Sequence, residues 1–177
     1  DFGKIMIYND ISGETMNKEL KTALGEKFSF MKYNEKNGSP YRLWGCQCHD
    51  GWYELIHDLC NEINDAYTSR GLPVDIIVLQ VKEKFAKLRF YYSFEGEEQR
   101  VSAIDFLGSC TLRLPPREGD LPEDIKALRA EIRESVRRFE EKSAHICEYC
   151  GKEGKLRKIR GGHYIKTLCN KCCEVIV

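Results

Sequence analysis

Two Cys-x-x-Cys pairs, Cys147/Cys150 and Cys169/Cys172, stand eighteen residues apart near the end of a 177-residue chain. Nothing else in the sequence constrains the fold as strongly. Tetrahedral zinc needs four soft or borderline donors converging on one point, and a Cys-x-x-Cys turn brings two thiolates close enough to share an ion. Two such turns complete the shell, and this spacing marks a zinc site. Gly151 follows the first pair, where a metal knuckle often requires the positive φ that glycine tolerates. The eighteen intervening residues suffice for a short hairpin with "RGGH" (160–163) at its tip. One Zn2+ held by Cys147, Cys150, Cys169 and Cys172 is therefore expected. A catalytic zinc usually keeps one position open for water, whereas four cysteines fill the shell, so the expected ion is structural. His163 and Cys173 are chemically able to replace a ligand, but neither is needed.

The chain carries nine cysteines. An odd count with two close pairs fits thiolate ligands in a reducing compartment better than a disulfide framework. No basic start followed by an apolar run is present, and nothing approaches the roughly 20 apolar residues of a membrane span. The expectation is a cytoplasmic protein without a membrane partner. Formal charge is zero, which offers no global argument for nucleic acid. From His145 onward, however, seven Lys or Arg face three Glu, leaving +4 on the tail and −4 on the remainder. Arg157, Lys158 and Arg160 are the candidate polyanion contacts there, and a solvated basic surface is the plainer reading.

Ahead of the tail the periodicity is helical, then alternating. Trp52, Leu55, Ile56, Leu59, Cys60 and Ile63 fall on one side of a helix that stops near Gly71 and Pro73. "VDIIVLQV" reads as a buried strand, and in "KLRFYYSF" Leu88, Phe90, Tyr92 and Phe94 alternate with Lys87, Arg89, Tyr91 and Ser93. Ile125, Leu128, Ile132, Val136 and Phe139 continue an apolar stripe along a helix over about 122–144, with Glu134/Arg138 and Arg137/Glu141 as i, i+4 pairs on its wet face. Weaker signals suggest a strand at "KIMIY", a helix within "GETMNKELKTALGEKF", strands at "QRVSAIDFL" and "SCTLRL", and a break at "PPREGD". The expected class is α+β: amphipathic helices on a small antiparallel sheet in a domain over 1–144, then a zinc-ribbon or treble-clef-like module over 145–177.

A second cluster at "WGCQCHDGWY" offers Cys46, Cys48 and His49, with His57 and Cys60 on the following helix, as a second metal site. Its spacing is poor, and Cys60 lies on the apolar stripe where a small thiol packs comfortably. His49 with Asp50 reads alternatively as an acid–base pair, and Asp50 more simply as a helix N-cap.

Taken together, "GWYELIHDLC", "VLQVKEKFAKLRFYYS", "CEYCGKEGKLR" and "TLCNKC" resemble an uncharacterised family of small zinc-ribbon proteins widespread in phage and prophage genomes. The resemblance covers roughly residues 45–94 and 125–172. A glycine commonly stands in that pattern where this chain has Ala86, and residues 95–119 are longer than usual. The resemblance implies zinc and a phage setting. It implies no activity, though a phage setting favours a protein that disables a host machine, antiviral defence included.

Three functions follow as expectations. The first is a non-catalytic binding protein presenting a rigid surface to a host protein or nucleoprotein complex. The second is a nucleic-acid binder using the basic tail and the hairpin cations Lys82, Lys84, Lys87 and Arg89. The third is a metal-dependent nuclease or nucleotide hydrolase around His49, Asp50 and His163. Only Tyr149 and Tyr164 are aromatic in the tail, too few for a run of stacking side chains, and the acidic remainder opposes a long duplex, so nucleic-acid binding by the protein is expected to be weak at most.

Overall fold

A computed structural model describes residues 15–34, 36, 38–97, 103–106, 110–113, 121–162 and 164–176 of the chain. The segments "KIMIY" and "PPREGD" lie outside them, as does His163. The architecture is α+β.

Helix α1 (Lys18–Lys27) begins at Asn17, whose side-chain oxygen accepts from the Glu19 N–H. Such a cap satisfies a backbone donor that the first helical turn leaves free. Helix α2 (Pro40–Trp44) opens on the Ser39 hydroxyl and ends at Gly45, whose φ of 69° permits its N–H to bond the Tyr41 carbonyl. Strand β1 (Cys46–Gln47) follows, and a 3-10 turn over Asp50–Trp52 leads into α3 (Tyr53–Thr68). Asp50 does not cap this helix. Its carboxylate accepts from the Asn17 N–H at 2.7 Å, tying the start of α1 to the start of α3.

Strands β2 (Ile76–Lys84) and β3 (Lys87–Phe94) form the expected antiparallel hairpin, with Val81 opposite Phe90 and Lys82 opposite Arg89. A bulge between Val78 and Gln80 shifts the register. The sheet is mixed rather than purely antiparallel, because the two residues of β1 join β2 in parallel. A separate pair, β4 (Ala103–Phe106) and β5 (Cys110–Arg113), matches the two strands expected in the insert. Helix α4 (Glu123–Lys142) carries its stripe inward, with Leu128, Ile132, Val136 and Phe139 all buried. Trp52, Leu55, Ile56, Leu59 and Ile63 from α3 and its entry turn share that core with Leu88 and Phe90 of the hairpin. On the wet face Arg137 does bind Glu141, at 2.7 Å, but Glu134 binds Arg137 instead of Arg138. Arg138 crosses to Glu62 of α3, a bridge the helical spacing alone does not reveal.

The C-terminal end of α4 also closes the edge of the sheet. The Leu88 N–H donates to Ser143 Oγ at 2.9 Å and the Phe90 N–H to Glu140 Oε1 at 2.8 Å. An open edge strand would invite pairing with another chain, and here side chains occupy its donors.

The β2–β3 turn is unusual. Phe85 and Ala86 both adopt left-handed backbone, with φ of 55° and 60°. Two consecutive positive φ values are the signature of the hairpin turn that favours Asn-Gly, and each non-glycine residue there carries strain. A glycine at position 86 would adopt this left-handed backbone without that strain.

Candidate metal centre

Past a 3-10 turn at Ser143–His145, the tail folds as a knuckle, a hairpin of β6 (Lys155–Ile159) and β7 (Tyr164–Leu168), and a short helix α5 (Asn170–Ile176). The turn Arg160–Gly162 joins the strands, as "RGGH" suggests. Cys147 and Cys150 lie in the knuckle, Cys169 precedes α5 and Cys172 sits in its first turn. This knuckle–hairpin–helix order is that of a treble clef rather than of two facing ribbon knuckles.

Each of the four Sγ atoms lies within 4.8 Å of the other three, and those of Cys150 and Cys169 are 3.6 Å apart. Zinc–sulfur bonds of about 2.3 Å set tetrahedral edges of about 3.8 Å, so the observed cluster is of the right size for one ion. Cys147 is fully buried, Cys169 and Cys172 are half-buried and Cys150 is exposed. The four cysteines can hold a metal ion.

Local backbone explains the convergence. Gly151, at φ 73°, turns the knuckle so that its N–H bonds the Cys147 carbonyl at 2.9 Å. The Cys172 N–H points at Cys169 Sγ, 3.4 Å away, and this donation chiefly lowers the Cys169 thiol to about 7. Burial pushes the Cys147 and Cys172 thiols up instead.

The knuckle is seated on the α+β core by contacts that span the sequence. The Gly51 N–H donates to the Glu148 carbonyl at 2.8 Å, the His49 N–H to Glu148 Oε1 at 3.2 Å, and Trp52 Nε1 to the Ile146 carbonyl at 2.8 Å. The His49 ring stacks on Tyr149 with centroids 3.9 Å apart. Gly51 is required by space, since a Cβ there would lie 2.4 Å from the Cys147 carbonyl oxygen and 2.5 Å from the Cys150 and Gly151 nitrogens.

Charge completes the joint. Lys166 of β7 is buried between Glu83 of β2, at 2.7 Å, and Glu148 of the knuckle, at 3.1 Å. Burial raises the Glu148 carboxyl to about 7, with the Lys166 ammonium opposing the shift and Glu83 adding to it. Glu83 Oε1 also accepts from the Ala86 N–H, and Thr167 Oγ1 donates to the Ala86 carbonyl at 2.7 Å. The strained β2–β3 turn is thus held from both sides, by its own strand and by the tail. Lys166 adds to the formal charge of the tail, but its ammonium is paired in the interior and contributes nothing to a basic surface.

The other expected sites separate. Cys46, Cys48 and Cys60 are fully buried in the apolar core, and burial lifts all three thiols, Cys46 to about 12. Among the described residues their ligand atoms do not converge with His49, so the second metal site is not formed. His57 groups instead with Glu54 and Asp58, but Lys27 Nζ lies 2.8 Å from its Nε2 and Asn61 Nδ2 lies 3.2 Å from its Nδ1. Of the tail's polyanion candidates, Arg157 is engaged by Asn170, Lys158 is exposed, and the Arg160 side chain lies outside the description. Lys87 and Arg89 are half-buried on the hairpin face opposite Leu88 and Phe90. Gly51, Lys166 and Glu83 were not among the expected site residues. Only the partner across the fold reveals them.

No family model, curated protein or solved structure matches the chain. No helix among the described residues is long and apolar enough to cross a membrane.

Proposed function

We propose that Cys147, Cys150, Cys169 and Cys172 hold one structural Zn2+, and that the protein is a non-catalytic binding protein whose metal module braces the surface it presents. The observation that carries this is the closed shell of four sulfurs, all within 4.8 Å, with the backbone of the first ligand pair packed on Gly51 of the core. An all-cysteine donor set is the structural type of zinc site, and its ion supplies folding energy rather than an activated water. The resemblance to phage zinc-ribbon proteins favours a host protein or nucleoprotein complex as the target, an antiviral defence assembly among them. The host cytoplasm is the matching compartment.

Zinc sites of this kind contribute apparent binding free energies of about 10–16 kcal/mol in small isolated modules. Among the described residues the tail's own apolar cluster buries Cys147, Ile159 and Leu168, far too little to substitute. Elemental analysis of purified protein is expected to give one zinc per chain, and Cys150→Ala is expected to release it and open the tail to protease. Protein without zinc, or a Cys150→Ala variant that retains it, refutes the assignment. Pull-down from bacterial lysate with the zinc-loaded chain tests the binding reading, and turnover of nucleotides or nucleic acid that co-purifies with the chain and fails in Cys150→Ala would replace it.

A further inference from the structure

Side chains close the edge of β3, whereas the outer edge of β6 is left open. In an antiparallel ladder, opposed residues alternate between pairs that bond each other and pairs whose N–H and C=O groups point outward. The Thr167 carbonyl accepts from the Glu148 N–H at 3.0 Å, so it faces away from β6. Its opposite residue Leu156, and Lys158 two positions on, therefore turn their main-chain groups away from β7. The knuckle begins a row along this edge: Ile146 bridges Glu153, and the Gly154 N–H donates to the His145 carbonyl at 2.8 Å. The row stops there, because the chain before Ile146 is the 3-10 turn at Ser143–His145. Among the described residues, nothing beyond the β6–β7 ladder hydrogen-bonds the main chain of Leu156 or Lys158.

The side chains along this edge say what kind of strand it accepts. Lys155, Leu156 and Lys158 are all exposed, and Leu156 is 60 % exposed although the strand leucines Leu88 and Leu168 are fully buried. Strand β6 carries three cations and no carboxylate. Arg157 is engaged by Asn170, but neither Lys155 nor Lys158 forms an ion pair with a described residue. Lysines on an edge ordinarily guard it, since a neutral or basic strand gains nothing from them. An acidic strand is attracted by the same charges. Nucleic acid would also meet the lysines, but its phosphodiester groups are acceptors only and leave the Leu156 and Lys158 carbonyls without donors. A peptide strand supplies donors and acceptors together, at the spacing of the edge.

We propose that the outer edge of β6 takes an extended acidic segment of a partner protein as an added strand, through the main chain of Leu156 and Lys158 and the ammonium groups of Lys155 and Lys158. The inference deepens the binding reading above and rests on it, by giving the partner a chemically defined contact. An aliphatic side chain opposite Leu156, flanked by carboxylates, completes the match.

The test is an NMR titration of the full-length, zinc-loaded chain with a capped peptide, Glu-Glu-Val-Glu-Glu, at low and high salt. Amide hydrogen exchange at Leu156 and Lys158 is expected to slow as the peptide covers their N–H groups, while that of Arg157, already within the ladder, stays unchanged. N-methylation of the peptide's valine, whose N–H would serve the Leu156 carbonyl, is expected to weaken binding about fivefold or more. N-methylation of the next glutamate, whose N–H would point away from β6, should change it little. Lys155→Glu with Lys158→Glu is expected to weaken binding about tenfold or more, because two attractions become repulsions. If that variant loses zinc, the two methylated peptides decide the question on the parent chain. No saturable binding at low salt overturns the proposal, as does bound peptide that leaves exchange at Leu156 and Lys158 unmoved. Equal effects of the two methylations, or a zinc-loaded charge-reversed variant that binds as well as the parent, overturn it too. Oligothymidylate that covers the same amides more tightly than the peptide would assign the edge to nucleic acid instead. These outcomes leave the zinc measurement and the lysate pull-down untouched, so failure here is distinguishable from failure of the broader reading.

Discussion

Replacing Gly51 with alanine tests the seat of the metal module on the core at a single atom. The added Cβ would lie 2.4 Å from the Cys147 carbonyl oxygen and 2.5 Å from the Cys150 and Gly151 nitrogens, all of them backbone atoms that cannot rotate away. Ordinary contact then requires the knuckle to retreat by about 1 Å from the entry turn of α3. Overpacking of this sort costs about 1–3 kcal/mol. The retreat also stretches the bonds from the Gly51 N–H, the His49 N–H and Trp52 Nε1 to the knuckle, each contributing about 0.5–1.5 kcal/mol. Since the chain can divide the strain between clash and lost bonds, the expected loss is about 2–4 kcal/mol, or about 4–16 °C in Tm for a chain of this size. Zinc affinity should fall with it, by about tenfold for each 1.4 kcal/mol of the loss that the metal-bound state alone carries. Thermal unfolding of the zinc-loaded protein and competition against a chromophoric chelator measure the two effects. Gly71→Ala is the control: its φ of 63° is strained for alanine, but nothing lies within 4 Å of the new Cβ. That variant should lose only about 1–2 kcal/mol from the left-handed backbone and keep its zinc affinity. A Gly51→Ala protein that melts within about 1 °C of the parent and binds zinc equally would refute the docking.

Phe90 is fully buried in the core, and Phe90→Ala should cost about 3–5 kcal/mol in reversible denaturation; a loss below about 1 kcal/mol would place that face of β3 in solvent. Lys166→Ala leaves Glu83 and Glu148 facing one another in the interior, and chemical denaturation should show a loss of about 3–5 kcal/mol. Combining Lys166→Met with Glu83→Gln and Glu148→Gln should recover much of it, and a triple variant no better than Lys166→Ala would show that the three groups do not act as one ion cluster.

The parts of this fold legible in the sequence are those set by neighbours along the chain. Trp52, Leu55, Ile56, Leu59 and Ile63 repeat at helical spacing because one side of α3 is buried, and Leu88 and Phe90 alternate with Lys87 and Arg89 because one side of β3 is. The four clustered cysteines are equally plain, since two thiols on one turn are a local device. What escapes is set by partners far away in sequence. The 51st residue reads as an ordinary loop glycine until the Cys147 carbonyl is found against it. Lys166 reads as one more basic residue of a hairpin, and Glu83 as a charge in an alternating strand, until the two meet in the interior. Asp50 stands where a cap belongs but serves Asn17 instead. The Cys46, Cys48 and Cys60 cluster misleads in the other direction, because cysteine packs as a small apolar residue as readily as it binds metal.

The joint between Gly51 and Glu148 has a consequence for synthesis. At about 5–20 residues per second, the roughly one hundred residues separating the two sides of the joint take about 5–20 s to follow one another from the ribosome. During that interval Trp52 lacks its Ile146 acceptor, Glu83 lacks Lys166, and the left-handed turn at Ala86 lacks Thr167. The hairpin is therefore completed only by a segment made well after it, and until residues 146–167 have emerged its turn and its buried Glu83 stand without the partners that hold them.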